Sequence, residues 1–172
     1  MTERKRKTKA GAPRTEVFAM RLDPKLKYLA EIAARKQRRS MANFVEWAIE
    51  QALGRVMLVD TNDLSILDES DKLWDLEPSD RFIKLAKNYP NLLTYEEQLI
   101  WKAIQELTAN ETYKDEAGKT QIFTYSFTVN EGKNKSPNNF AVKDCWSTLV
   151  AFSEGHATEQ DVRAALKEAI PF

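Results

Sequence analysis

Cys145 and His156 are the only cysteine and the only histidine in the 172 residues. Together they are the side chains best suited to covalent catalysis, as a thiol nucleophile and its base. No third member accompanies them, and a free cysteine more often serves as a small buried hydrophobe. One histidine excludes a His-rich metal site, and one cysteine excludes an internal disulfide, a usage compatible with a reducing cytoplasm. The sequence has no Gly-rich phosphate loop. Acidic pairs such as Glu96-Glu97 read as a solvated helix face. Trp74, Trp101 and Trp146 read as core, with an apolar small-molecule pocket between helices as the other reading. The expectation is therefore a protein that is not an enzyme, with no metal and no cofactor.

The remaining chemistry is charge. The chain has 26 Lys and Arg against 26 Asp and Glu, a net charge of zero, which alone argues against a polyanion partner. Its distribution argues the opposite. Residues 1–55 hold 14 basic and 6 acidic side chains, a balance of +8, and residues 56–172 hold 12 basic and 20 acidic, a balance of −8. Six of the basic residues lie in 1–14, a stretch too polar to offset its ordering entropy. It is expected as a disordered basic arm that follows phosphates and gains affinity by releasing counterions; the alternative is a solubilising tail. No apolar run approaches the roughly 18 residues of a membrane span. The basic start lacks the apolar stretch of a secretory signal, so none is expected.

Elements that could position these charges follow the arm. In 15–22, Phe18, Met20 and Leu22 alternate with Val17, Ala19 and Arg21, which predicts a strand with one packed face and one presented face. Asp23-Pro24 stops it and starts a helix, with Asp23 as N-cap and Leu26, Leu29, Ile32 and Ala33 as an apolar stripe. Gln37-Arg38-Arg39 breaks the stripe. Ser40 then caps a second helix, 41–53, whose Phe44, Val45, Ala48, Ile49, Ala52 and Leu53 form its buried side, with Gly54 as the stop. A lone strand has no partner for its backbone groups, and about 40 ordered residues bury little core. Two copies that pair strands antiparallel and interlock helices remove both deficits. A homodimer is therefore expected, with a core of Phe18, Met20, Leu22, Leu29, Ile32, Phe44, Val45, Ala48 and Ile49.

The segment VFAMRLDPKLKYLAEIAARKQRRSMANFVEWAIEQAL resembles a ribbon-helix-helix domain of the Arc/MetJ/CopG type. The resemblance covers 15–53 and rests on the alternating strand ending in Arg21-Leu22, on Pro24 and on Arg38-Arg39-Ser40. It implies a two-stranded ribbon in the major groove of double-stranded DNA, read by the outward residues Val17, Ala19 and Arg21. Arg21 would bond two acceptors of guanine, whereas Val17 and Ala19 replace the polar readers usual in the family and shift weight to DNA shape and the arm. Phosphates are implied at the start of the second helix, on Ser40, Met41, Ala42 and Asn43, with Arg38, Arg39, Arg14 and Thr15 alongside. Arg38 stands where many members carry Gly. Because a left-handed non-Gly residue costs about 1 kcal/mol, a differently shaped turn is expected there.

Beyond this unit, 55–78 reads as a connector with a short helical stretch near Leu73–Leu76. Residues 79–172 read as an acidic, mainly helical α+β module. Its expected parts are a helix 79–89 ended by Pro90, a Thr94/Glu97-capped helix to about Ala109, a polar loop 110–120 and a strand 121–129. A loop 130–139, a strand-to-helix or all-helical segment 140–152 and a helix opened by a Thr158/Asp161 capping box complete it. The fold class is thus α+β, mainly helical, with a separate N-terminal ribbon-helix-helix unit at 15–54. The expected function is a homodimeric, sequence-specific DNA-binding protein of the bacterial cytoplasm and nucleoid. Its role would be transcriptional repression, and two dimers could meet on DNA. The alternatives are an antitoxin whose C-terminal part holds a toxin and a plasmid partition or relaxosome accessory factor. Residues 79–172 would take a protein partner or a small-molecule effector.

Overall fold

The computed structural model describes residues 18–58, 64–131 and 134–170. It is α+β and mainly helical, and it divides into two units between Glu69 and Ser70. The expected connector therefore splits, with its first part in one unit and its last residues in the other.

In the first unit, α1 spans Pro24–Lys36 and α2 spans Met41–Leu53. Both start on the expected caps. Asp23 Oδ1 accepts the N–H groups of Lys25 and Leu26 at 2.9 and 3.3 Å, and Pro24 sits where a missing N–H costs nothing. Ser40 Oγ accepts the N–H of Asn43 at 3.2 Å.

The turn between the helices corrects the sequence expectation. Arg38 does adopt the left-handed conformation, with φ 55°. Its N–H reaches the Arg35 carbonyl at 3.1 Å, and the Arg39 N–H reaches the Ala34 carbonyl at 2.9 Å. These are the two bonds of a Schellman motif, which satisfy carbonyls at the end of α1 and so compensate the strain of a side chain there. Gly54, the residue free to turn left-handed, ends α2 at φ −69° instead.

Among the described residues the expected strand is not formed in the single chain. Residues 18–23 belong to no helix or strand, and residues 15–17 lie outside the described residues, as does the arm. A ladder needs a second strand. The only β pairing of the first unit, among its described residues, is an isolated bridge between Met57 and Ser65.

The expected apolar core is also incomplete here. Within one chain Phe18 is 77% exposed, Met20 50%, Leu29 51%, Ile32 43% and Ile49 46%. Leu22, Phe44, Val45 and Ala48 are half-buried, and no residue of α2 is fully buried.

The second unit begins with α3 (Ser70–Leu73), just ahead of the expected helical stretch, and α4 (Pro78–Asn88). A single 3-10 turn (Pro90–Leu92) leads to α5 (Tyr95–Glu106), which opens on the expected capping box: Thr94 Oγ1 accepts from Glu97 N and Glu97 Oε2 accepts from Thr94 N.

α5 stops short of Ala109. The chain becomes strand β1 (Thr108–Lys114), where a polar loop was expected, and β1 pairs antiparallel with β2 (Thr120–Ser126), Thr108 opposite Ser126 and Lys114 opposite Thr120. Asp115 builds the turn by accepting the Ala117 and Lys119 N–H groups, and Gly118 supplies its positive φ of 76°. β1 was hidden in the sequence because only Ala109 of its seven residues is buried; its partner β2, not its own apolar pattern, defines it.

The expected strand 121–129 breaks at fully buried Phe127, and β3 (Thr128–Glu131) pairs with β4 (Asn134–Pro137) where a loop was expected. Helices α6 (Asn139–Asp144), α7 (Trp146–Ser153) and α8 (Glu159–Ala169) complete the unit. Segment 140–152 is thus helical throughout, in two pieces. α8 carries the Thr158/Asp161 capping box read from sequence. A continuous core joins α4, α5, α6, α7 and α8 to the first hairpin through residues such as Phe82, Ile104, Phe127, Leu149, Val162 and Leu166.

Candidate nucleic-acid interface

The surface at the start of α2 is built from three local features. Ser40 holds the helix end open: its hydroxyl takes the Asn43 N–H, leaving those of Met41 and Ala42 as the first-turn donors without an intrahelical acceptor. The first turn of α2 contains no acidic residue, so the positive end of its dipole is uncompensated by side chains. The Schellman turn sets Arg38 and Arg39 immediately before it, both exposed. Arg39 is further held by Trp47: its guanidinium carbon lies 5.3 Å from the ring centroid, and Trp47 packs against Phe44 at 5.7 Å. Free N–H groups, an uncompensated helix dipole and two cations on one turn make an anion-favouring surface.

Arg39 with Trp47 was not legible in the sequence. The two residues lie eight apart across a turn, and no helical spacing rule couples them. Of the other expected phosphate contacts, Ser40, Ala42 and Asn43 are exposed and Met41 is half-buried. Asn43 has its N–H committed to the cap, while Arg14 and Thr15 lie outside the described residues.

The segment before α1 keeps its alternation even without a ladder. Phe18, Met20 and Leu22 line one open groove with Val45 and Ile49 of α2, about 660 Å³ in volume. Ala19 and Arg21 are exposed and take no part in lining it; Val17 lies outside the described residues. Five of the expected dimer-core residues thus share a groove, and Leu29, Ile32, Phe44 and Ala48 do not line it.

Cys145 and His156 sit in different surroundings. Cys145 is in the core of the second unit, and burial, reinforced by the charges of Asp144 and Glu168, pushes its thiol up to about 11. His156 is exposed, its Nδ1 3.4 Å from Glu154 Oε2. A thiol so raised is protonated at neutral pH and a poor nucleophile. Among the described residues no group of three or more His, Cys, Asp or Glu side chains could hold a metal ion. Among those residues, too, no helix is long and apolar enough to cross a membrane.

No protein-family model matches the chain, and no curated protein or solved structure is similar enough to count as a match.

Proposed function

We propose that the chain is a homodimeric, sequence-specific DNA-binding protein of the ribbon-helix-helix kind, acting as a transcriptional repressor. The observation that carries this reading is the unfinished state of the first unit. Its two helices are individually well capped, yet the apolar side chains of residues 18–22 and α2 lie open along one groove. A second copy laying its own residues 18–22 antiparallel beside these would close that groove and give both segments a ladder partner. The exposed Arg21 and Ala19 would then stand on the outer face of the ribbon, where a guanidinium can bond the two major-groove acceptors of guanine. The cation-rich start of α2 would meet the phosphates beside the groove.

Two measurements test the reading. Sedimentation of the full chain at micromolar concentration should give twice the monomer mass of 19.8 kDa, and a strict monomer overturns the proposal. Once binding sites have been selected from random duplexes, Arg21→Ala should cost about 1–3 kcal/mol on the selected site and far less on unrelated DNA. Equal losses on both would remove Arg21 as a base reader.

A further inference from the structure

We propose that the groove bounded by α4, α5 and α7 of the second unit binds a small aromatic cation, an organic molecule with one or two fused rings and a protonated amine. The inference stands independently of the DNA-binding reading, since no residue of the first unit enters it. The groove has a volume of about 450 Å³, within the range of small-ligand sites. Its floor is apolar, formed by Phe82, Leu85, Ile100, Trp146 and Val150. Phe82 is buried, with its ring centroid 5.3 Å from that of Trp146 and 6.1 Å from that of Trp101. This aromatic floor belongs to the packed core, so it is set before any ligand arrives, and it suits a flat ring.

The rim selects the sign of the ligand. Glu96, Glu97 and Glu154 line it, against a single cation, Arg81. Arg81 is already engaged: its guanidinium carbon lies 4.7 Å from the centroid of the Trp74 ring. Glu97 serves the cap of α5, and Glu154 lies beside the exposed His156. Glu96 is exposed and makes no ion pair or hydrogen bond with another described residue. Three carboxylates and one occupied guanidinium over an apolar floor give the groove a negative potential, and low-dielectric walls focus it. A ring on the floor with its ammonium at the Glu96 rim satisfies both parts.

Isothermal titration of the full chain with naphthylmethylamine and with naphthylacetate tests this, since the two share a ring and differ in charge. The amine should bind, with the acetate at least about tenfold weaker, the ratio that separates a favoured from a disfavoured charge here. Glu96→Gln, an exposed substitution, should weaken the amine about twofold to fivefold, the effect of one partly exposed charge pair. Val150→Phe should block it by filling the floor, with circular dichroism checking the fold. The proposal is overturned if the acetate binds as well as the amine. Absence of amine binding up to about 1 mM, or an affinity unchanged by Glu96→Gln, overturns it equally.

Discussion

The two units handle apolar surface in opposite ways. In the second, 18 residues form one buried cluster that draws on helices and a hairpin far apart in sequence. In the first, Ala34 and Leu58 are the only buried hydrophobic residues among those described. The helices of the first unit are nonetheless as well started and stopped as those of the second, with side-chain caps at Asp23 and Ser40 and a full Schellman turn at Arg38. Capping is a property of neighbouring residues, so it is completed within one chain. A core is a property of surfaces, and two amphipathic helices cannot close one by themselves. The first unit is therefore a finished set of elements and an unfinished fold, which is the physical basis of the dimer proposed above.

Truncation in the two apolar stripes should separate the units most strongly. Leu149→Ala empties a fully buried site and should cost about 2–5 kcal/mol in denaturant unfolding of the second unit. Leu29→Ala, at a position 51% exposed in one chain, should leave that transition in place and instead make association weaker and more concentration-dependent. If Leu29→Ala leaves association unchanged, α1 takes no part in a dimer core.

The next effect sharpens the contrast at the turn. Arg38→Gly should stabilise the first unit by about 0.5–1 kcal/mol, the relief of left-handed strain less the added freedom of the unfolded chain. Hydrogen exchange of the α1 and α2 amides would report it; slower exchange is expected. Faster exchange would mean that the Arg38 side chain contributes more than its backbone strain costs.

Capping should give matched effects in the two units. Ser40→Ala and Thr158→Ala should each cost about 1 kcal/mol, confined to α2 and α8 respectively. A loss at Ser40 spreading to the second unit would break the picture of two separate bodies.

The smallest effect is on pH. Asp161 is held below its ordinary value of 3.8 by the Thr158 backbone and hydroxyl, and Asp75 is lowered by the Lys84 ammonium and the Glu77 N–H. Asp115 is lowered by Gln121 and the backbone N–H groups of its turn. Depressed carboxylates contribute stability that is complete above 3.8 and disappears as pH falls through the lower folded-state values. The second unit should therefore lose stability below about pH 4, and Asp161→Asn should flatten that loss. An unchanged slope in the variant would show that the capping box does not couple to protons.

Features set by neighbours in the chain were legible in the sequence. Pro24, Ser40, Thr94 and Thr158 announced four helix starts, and each helix begins there. The Glu97 and Asp161 partners of two capping boxes were readable for the same reason. The alternation of residues 18–22 was equally plain and survives as a lined groove. Features set by distant partners were not legible. β1 carries almost no apolar signal and exists through its register with β2, and Phe127 breaks what reads as one strand because the core requires it there. Arg39 over Trp47 depends on the left-handed turn that sets Arg39 ahead of α2, and the aromatic-floored groove depends on three helices meeting.

The sequence by itself determined the α+β, mainly helical class, the starts of α1, α2, α5 and α8, and the +8/−8 division of charge. Those follow from residue type and short-range spacing, where hydrogen-bond reach and the 3.6-residue period leave few choices. Only the tertiary structure decided that Cys145 is buried in the core, that Arg38 turns left-handed and that the polar stretch after α5 is a strand. It alone decided, too, that one unit closes its core within a single chain while the other leaves its apolar side chains open. Burial depends on which surfaces meet, and that information is shared among residues far apart in the chain.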